Sequence, residues 1–415
     1  VANKSFVGAY FNYSSADNSA SQTFPLDQGL GQAFSWGSDV SLVAKDGVFS
    51  RLFCQVSANA RSTTSNLLLY YNGSNSALTV AIPASTTGLL SDTTNTVSAT
   101  AGDLFHGKIT TSTGGGTLTI NRRLGLQFEP STGGAVTYYG TGNVYDRSRN
   151  DINGTSYHPL TNSISTDGGA TESEITMYSA GTFDSARWVV VLVNGKSTTT
   201  YARLQVNGTS STLECAAPAS TTGLFTDTTH SVTVAAGDIV RWAIVASSGG
   251  NIDFWGPRCR FTSDTSSHDL KGQKVATANN GPGSVNTSYL PIIGALPTAA
   301  DTSETPHPTP MPFDADLSNM GVHITNHTSG SGTTTFRSRI NGANGTQSVA
   351  VTFGSTGHFY DNTNTDAVVA GDLVNVSNGP GANTLRVQGV TMTVNEATPP
   401  PASETPFSVW FIRRR

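Results

Sequence analysis

The chain has 415 residues and a formal charge of −5, from 23 Lys and Arg against 28 Asp and Glu. Only 12% of residues are charged and 36% are hydrophobic, with 43 glycines; the charged share is about half the ~25% usual in soluble chains. This balance excludes a basic nucleic-acid footprint, no run of 18 apolar residues is present to span a membrane as a helix, and plentiful β-branched residues with few helix formers exclude an all-α fold.

The opening segment, VANKSFVGAYF, lacks the basic-then-apolar pattern of a secretory leader. Either an initiator Met or a longer leader has then already been removed. Next comes an apolar stretch holding Cys54, then Tyr70-Tyr71 and the turn Asn72-Gly73. Asn-Gly is the strongest short hairpin signal, because both residues tolerate positive φ. LTVAIPA follows as a strand, then Gly88 and Asp92, then Gly102-Asp103 between two apolar runs. There Gly permits a tight bend and Asp can bond nearby amides. Gly114-Gly115-Gly116 reads as a hairpin loop, and Pro130–Gly134 as a turn-rich link.

The same landmarks then recur. Asn72, Gly88, Asp92 and Gly102 reappear at 207, 223, 227 and 237, an offset of 135 each time. They return at 341, 357, 361 and 371, an offset of 134. A constant offset over some thirty residues marks tandem duplication of a whole domain, not a solenoid repeat. The expected modules are 1–133, 134–272 and 273–415, with Thr262–Asp269 as the second link. In HSVTVAAGDIVRWAIV the apolar residues alternate with a period of two, which places Trp242 inside a half-buried strand. Many short strands with regular turns point to an all-β chain of three tandem jelly-roll β-sandwiches. By the 135 offset Cys54 maps onto Val189, a buried strand position.

The third module adds two proline-rich arms, 297–312 and 396–406. Prolines 297, 306, 308, 310 and 312 argue against a central strand and for an extended arm. Such an arm either stiffens a loop or docks on an adjacent subunit. The last residues, FSVWFIRRR, read as a final strand with a basic tag at Arg413–Arg415.

The pattern NG…TGLF.DTT..V.VAAGD.V resembles jelly-roll modules of bacteriophage tail-fibre and virion-surface proteins. The run VTVAAGDIVRWAIV resembles a strand motif of the tumour-necrosis-factor and complement-globular-head β-sandwiches. The resemblance covers about 60 residues per module. It implies trimeric β-sandwiches, so three linked modules are expected to pack as a pseudo-trimer within one polypeptide.

Catalytic signals are thin. No His-Glu-x-x-His, Gly-x-Ser-x-Gly or Walker loop occurs, and no cofactor is expected. His323 and His327 are four apart, which in a strand separates them by about 13 Å. The repeated Asp92, Asp227 and Asp361, like Gly102-Asp103, Gly237-Asp238 and Gly371-Asp372, read as turn-forming residues; calcium and paired glycosidase carboxylates are the alternatives. Cys215 and Cys259 fall in one module and could form a disulfide, leaving Cys54 unpaired. Asn-x-Ser/Thr triplets make Asn72, Asn153, Asn207 and Asn344 candidate glycosylation sites. Tyr70-Tyr71 and Tyr138-Tyr139 could stack on sugars if exposed. The expected function is a non-enzymatic structural subunit, virion-surface or extracellular, whose partners are further copies of itself and other coat subunits. The alternative is an adhesin that binds glycans through sandwich-end loops.

Overall fold

A computed structural model describes residues 3–15, 21–26, 30–32, 41–43, 45–140, 143–144, 154–161, 170, 173–247, 249–273, 287–296, 301–305, 307–330, 332–379 and 382–397. The described residues form antiparallel β-structure without α-helix, apart from two short parallel pairings. Accordingly no helix is long and apolar enough to cross a membrane.

Each module is a pair of facing sheets. In the first, one sheet runs Leu30–Gln32, Ser5–Ser15, Leu118–Pro130, Gly47–Asn59, Gly88–Ala99. The other runs Ser21–Phe24, Leu104–Thr111, Ser65–Tyr71, Ser74–Ile82. Strands distant in sequence lie side by side while the two inner sequence neighbours form a hairpin, which is the jelly-roll order. The second and third modules repeat it, with Gly181–Asn194 and Ala315–Gly330 in the place of Gly47–Asn59.

Alternation along the strands builds three separate apolar cores. One centres on Phe49, Phe105 and Phe128, whose rings lie 4.7–4.8 Å apart. A second holds Trp188, Trp242 and Phe254, and a third Phe313, Phe336 and Val376. Trp242 is fully buried, as its alternation requires.

Two details differ from the sequence reading. His268–Gln273 straddles the expected boundary at 272, and the whole strand pairs with Ala382–Glu396 and belongs to the third module. The polar run Thr262–Asp269 hid the start of a strand whose Asp and Lys point to one face. Also, Cys54 pairs with Leu90, while Trp188 pairs with Phe225. Leu90 and Phe225 are equivalent, so the counterpart of Cys54 is the fully buried Trp188 and not Val189. A one-residue slip moves a side chain to the opposite face.

The modules form a closed ring. The amide of Val136 donates to Ser5 Oγ at 2.7 Å, joining the second module to the first. Tyr139 Oη donates to the Asp269 carbonyl at 2.7 Å, joining second to third. The Phe6 amide donates to His268 Nε2 at 3.0 Å, and Lys4 pairs with Glu396 at 3.2 Å, joining first to third. The opening strands of all three modules therefore meet one another.

Candidate functional site: turn locks and inter-module seams

The residues that repeat in the sequence build one hydrogen-bonded unit three times. Asn72, Asn207 and Asn341 have φ of 45°, 49° and 51°, and the glycines that follow have φ of 78°, 78° and 80°. These are the values of a type I′ hairpin turn. Gly102, Gly237 and Gly371 have φ of 93°, 97° and 96°, and Asp103, Asp238 and Asp372 donate their amides back to residues 100, 235 and 369. The Asn side chain ties the two turns together. Its Oδ1 accepts the amides of Leu104, Ile239 and Leu373 at 2.8–2.9 Å. Its Nδ2 donates to Asp103, Asp238 and Asp372 at 2.7–2.9 Å. Asn72 and Asn207 are exposed, but both ends of each amide serve this lock. Asn344 is exposed and accepts a bond from Arg339 Nη1. Asn153 lies outside the described residues.

Asp92, Asp227 and Asp361 form a second repeated unit at the sandwich edge. Each accepts one amide from the facing sheet (Thr79, Glu214 or Ser348) at 2.8–3.1 Å. Each also accepts the amides two and three residues on at 3.1–3.2 Å. Burial pushes these carboxyls up, but the converging N–H donors outweigh it and hold all three below the usual carboxylate range. Both oxygens face donors. That arrangement suits a turn and is wrong for calcium, which needs free oxygen lone pairs, and for a general acid, which needs a raised pKa.

The remaining candidates are dispersed. Cys54, Cys215 and Cys259 are buried thiols, none of them in a disulfide. Cys215 and Cys259 lie on opposite sheets of their module and pack as small apolar groups, so the weighed disulfide is replaced by two core thiols. Tyr138 and Tyr139 are buried and unavailable for sugar stacking. Tyr70 is half-buried beneath Lys108, whose Nζ sits 4.3 Å from the ring centre. His327 bonds Thr334 and the Thr352 carbonyl, apart from His323, and no group of three metal-ligating side chains occurs among the described residues. In the first proline arm Thr309–Pro310 pairs with Leu373–Val374, and Met311 and Phe313 enter the third core. The Pro310 carbonyl lies over Gly125 of the first module, where an added Cβ would come within 2.2 Å of it. The arm therefore docks within its own chain. Residues 297–300 and 306 of the first arm, residues 398–406 of the second, and the Arg413–Arg415 tail lie outside the described residues.

The repeated chemistry is structural, and the varied chemistry lies at the seams. Phe6, Tyr138 and Asp269 hold equivalent places in the three opening strands, through their pairing with Gln127, Arg260 and Thr393. Phe6 sits in the third core and Tyr138 in the first, where its ring meets Phe105 edge-on at 5.2 Å. Asp269 enters the second module, accepting the amides of Tyr178 at 2.7 Å and Ser179 at 3.2 Å. Each module thus inserts one residue into the module before it around the ring.

The seam between the second and third modules is the most polar. Asp269, Lys271 and Gln273 alternate on one strand face and are fully buried. Lys271 Nζ lies 3.3 Å from Asp269 Oδ2 and donates to the Thr176 carbonyl at 2.9 Å. Burial raises the Asp269 carboxyl, but Lys271 and its amide donors more than reverse this and hold it low; burial also lowers Lys271 against the pull of Asp269. Beside this pair is a recess of about 10 Å³, close to the room one water needs. It is lined by Thr176, Tyr178, Gly321, His323, His358 and Thr391 among others. At the equivalent place the first module presents Gly125 and Phe53, and the second presents the cross-strand pair Arg187 and Arg258. Sequence reasoning missed Phe6 and Lys271, read Tyr138 as a sugar-stacking candidate and placed Asp269 in a link. The one available signal was the alternation Asp-Leu-Lys in what was read as a link.

No protein-family model matches the chain, and no curated protein sequence matches it. Among solved structures, a chain described as an anti-sigma factor domain-containing protein aligns with a TM-score of 0.14 and 11% identity, over 61% of this chain and 92% of that one. The arabinofuranosyltransferase AftD from Mycobacteria, solved by single-particle cryo-EM, aligns with a TM-score of 0.15 and 9% identity, over 97% of this chain and 36% of that one. Likeness at this level carries no argument about fold or activity.

Proposed function

We propose that this chain is a non-enzymatic structural subunit of a large assembly. A virion-surface protein (decoration, collar or tail-fibre) is the first form of this reading, and an extracellular fibre subunit the second. The observation that carries it is the division of labour along the chain. Turn locks keep the same Asn–Asp and Asn–amide bonds in all three copies, while the residues that differ between modules hold neighbouring modules together. Groups repeated threefold with saturated hydrogen bonds serve a scaffold, and a ring of three like lobes offers similar outer faces to a threefold environment. The partners in this reading are further copies of the chain and other coat subunits.

Electron microscopy and light scattering of the purified full chain test it. Discrete particles or filaments with a regular repeat are expected. A chain that stays monomeric at high concentration and never incorporates into a larger body would overturn it. Burial of Tyr138 and Tyr139 weakens the adhesin alternative, and saturable binding on a glycan array without self-assembly would restore it.

A further inference from the structure

His323 and His358 are a cross-strand pair in the third module. Their rings stack at 4.0 Å between centroids and 12° between planes. The equivalent pairs are Gln55 with Leu89 and Val189 with Leu224, so only the third module places two titratable rings there. Both rings lie against the second module. His358 Nδ1 is 3.0 Å from Thr176 Oγ1. His323 donates to the Glu174 carbonyl, while its Nδ1 is buried and has no partner. Both rings line the recess described above.

We propose that the His323–His358 stack makes the seam between the second and third modules an acid-sensitive joint, closed while both imidazoles are neutral and loosened when either takes up a proton. The geometry supplies the reasons. A proton on His323 Nδ1 would point a buried N–H at no acceptor, which costs the desolvation of that group. Two protonated rings stacked face to face would repel strongly. The charged and titratable groups around the pair are Lys271 and Asp269 on His268–Gln273, one strand beyond the neighbour of the His323 strand, Tyr360 on the His358 strand, and Glu174 and Tyr178 from the second module. Lys271 adds like charge behind Thr176. Asp269 already bonds Lys271, two amides and the hydroxyls of Ser179 and Thr393, and Glu174 already pairs with Arg241. Neither carboxylate is free to neutralise a new imidazolium. Burial lowers both imidazoles from the ordinary histidine range, His323 to about 3, so proton uptake and opening are linked. This joint does not depend on the assembly reading.

Hydrogen exchange of the full chain between pH 7.5 and 4 tests the proposal, with rates corrected for intrinsic exchange. The amides of Tyr178 and Ser179 report this seam, and the amide of Val136 reports the seam between the first and second modules. Exchange at Tyr178 and Ser179 should accelerate roughly tenfold or more as pH falls from 6.5 to 4.5, by a clear margin beyond any acceleration at Val136. The double variant H323V/H358L, which installs the pair found in the second module, should remove that margin. Equal acceleration in the variant, or none in the unaltered protein, would overturn the joint. Should the variant fail to fold, imidazole NMR titration of the unaltered protein decides: opening must track proton uptake by these two rings, and opening that precedes it refutes the proposal.

Discussion

Phe6 and Tyr138 hold equivalent places in successive modules, and each fills the core of a different neighbour. Phe6 lies among Leu270, Phe313 and Val394 in the third module, while Tyr138 lies against Phe105 in the first. Neither residue completes the sandwich to which its own strand is paired. The ring is therefore held by core packing as well as by the hydrogen bonds at Ser5 and His268.

Phe6→Ala should destabilise the third module although the residue belongs to the first. A buried Phe→Ala change typically costs about 3–5 kcal/mol. Urea unfolding followed by hydrogen exchange should show the loss in strands 315–330 and 382–396 before strands 47–59. Loss confined to the first module would contradict the exchange of residues around the ring.

Asp92→Asn, Asp227→Asn and Asp361→Asn should each cost about 1–3 kcal/mol, because an amide offers one acceptor oxygen where the carboxylate offers two to converging N–H donors. Similar costs in all three modules are expected from their matching bonds. Calcium or a chelator should leave the melting temperature of the unaltered chain unchanged, and a calcium-dependent rise would return these carboxylates to the metal reading.

Stability should fall as pH drops from about 6.5 to 4. His268 Nε2 accepts the Phe6 amide and must therefore be unprotonated. Burial lowers its pKa to about 4, partly opposed by Asp269. A group whose folded pKa lies below its unfolded value of ~6.5 binds more protons when unfolded. Its contribution is complete above 6.5 and is lost progressively down to the folded pKa, amounting to about 3 kcal/mol for this shift. His106 and His158, lowered by burial to about 4 and about 3, act in the same direction. Below pH 4 the low-pKa carboxyls Asp92, Asp227 and Asp361 add their own loss as they protonate. His268→Gln, whose carbonyl can still accept the Phe6 amide, should flatten the slope between pH 6.5 and 4 in a series of urea titrations.

All three thiols should resist modification in the native state. Burial pushes Cys54 and Cys215 up to about 12, so neither supplies thiolate at neutral pH. A thiol reagent should label none in native buffer and three in denaturant, and a reductant should not shift the melting temperature. Fewer than three labelled after denaturation without reductant would reveal a disulfide.

Deleting 307–312 should unfold the third module. Met311 is fully buried and Thr309–Pro310 pairs with Leu373–Val374. Circular dichroism and hydrogen exchange of the deletion variant check this, with the second module expected to keep its protection.

The sandwiches were legible because their turns are local. An Asn-Gly at positive φ and a Gly-Asp bend need particular residues at fixed spacing, and three copies at a steady offset reveal the unit. Strand faces followed from alternation wherever the register was anchored by such a turn. The seams were not legible for the opposite reason. Phe6, Tyr138 and Asp269 share a position but not a chemistry, so no repeat marks them. Their partners lie between 33 and more than 250 residues away, which no local pattern encodes. The offset itself changes by one between Cys54 and Trp188, enough to turn a core position into a half-buried one when carried over from the turns.

The exchange of Phe6 has a consequence for synthesis. A chain growing from its amino end makes the first module well before strands 315–330 and 382–396 exist. Tyr138 finds its seat at once, in a module already translated. Phe6 must wait, apolar and uncovered, for most of the polypeptide to emerge. In that interval the nascent chain presents an aromatic side chain that a chaperone, or another nascent copy, could occupy first.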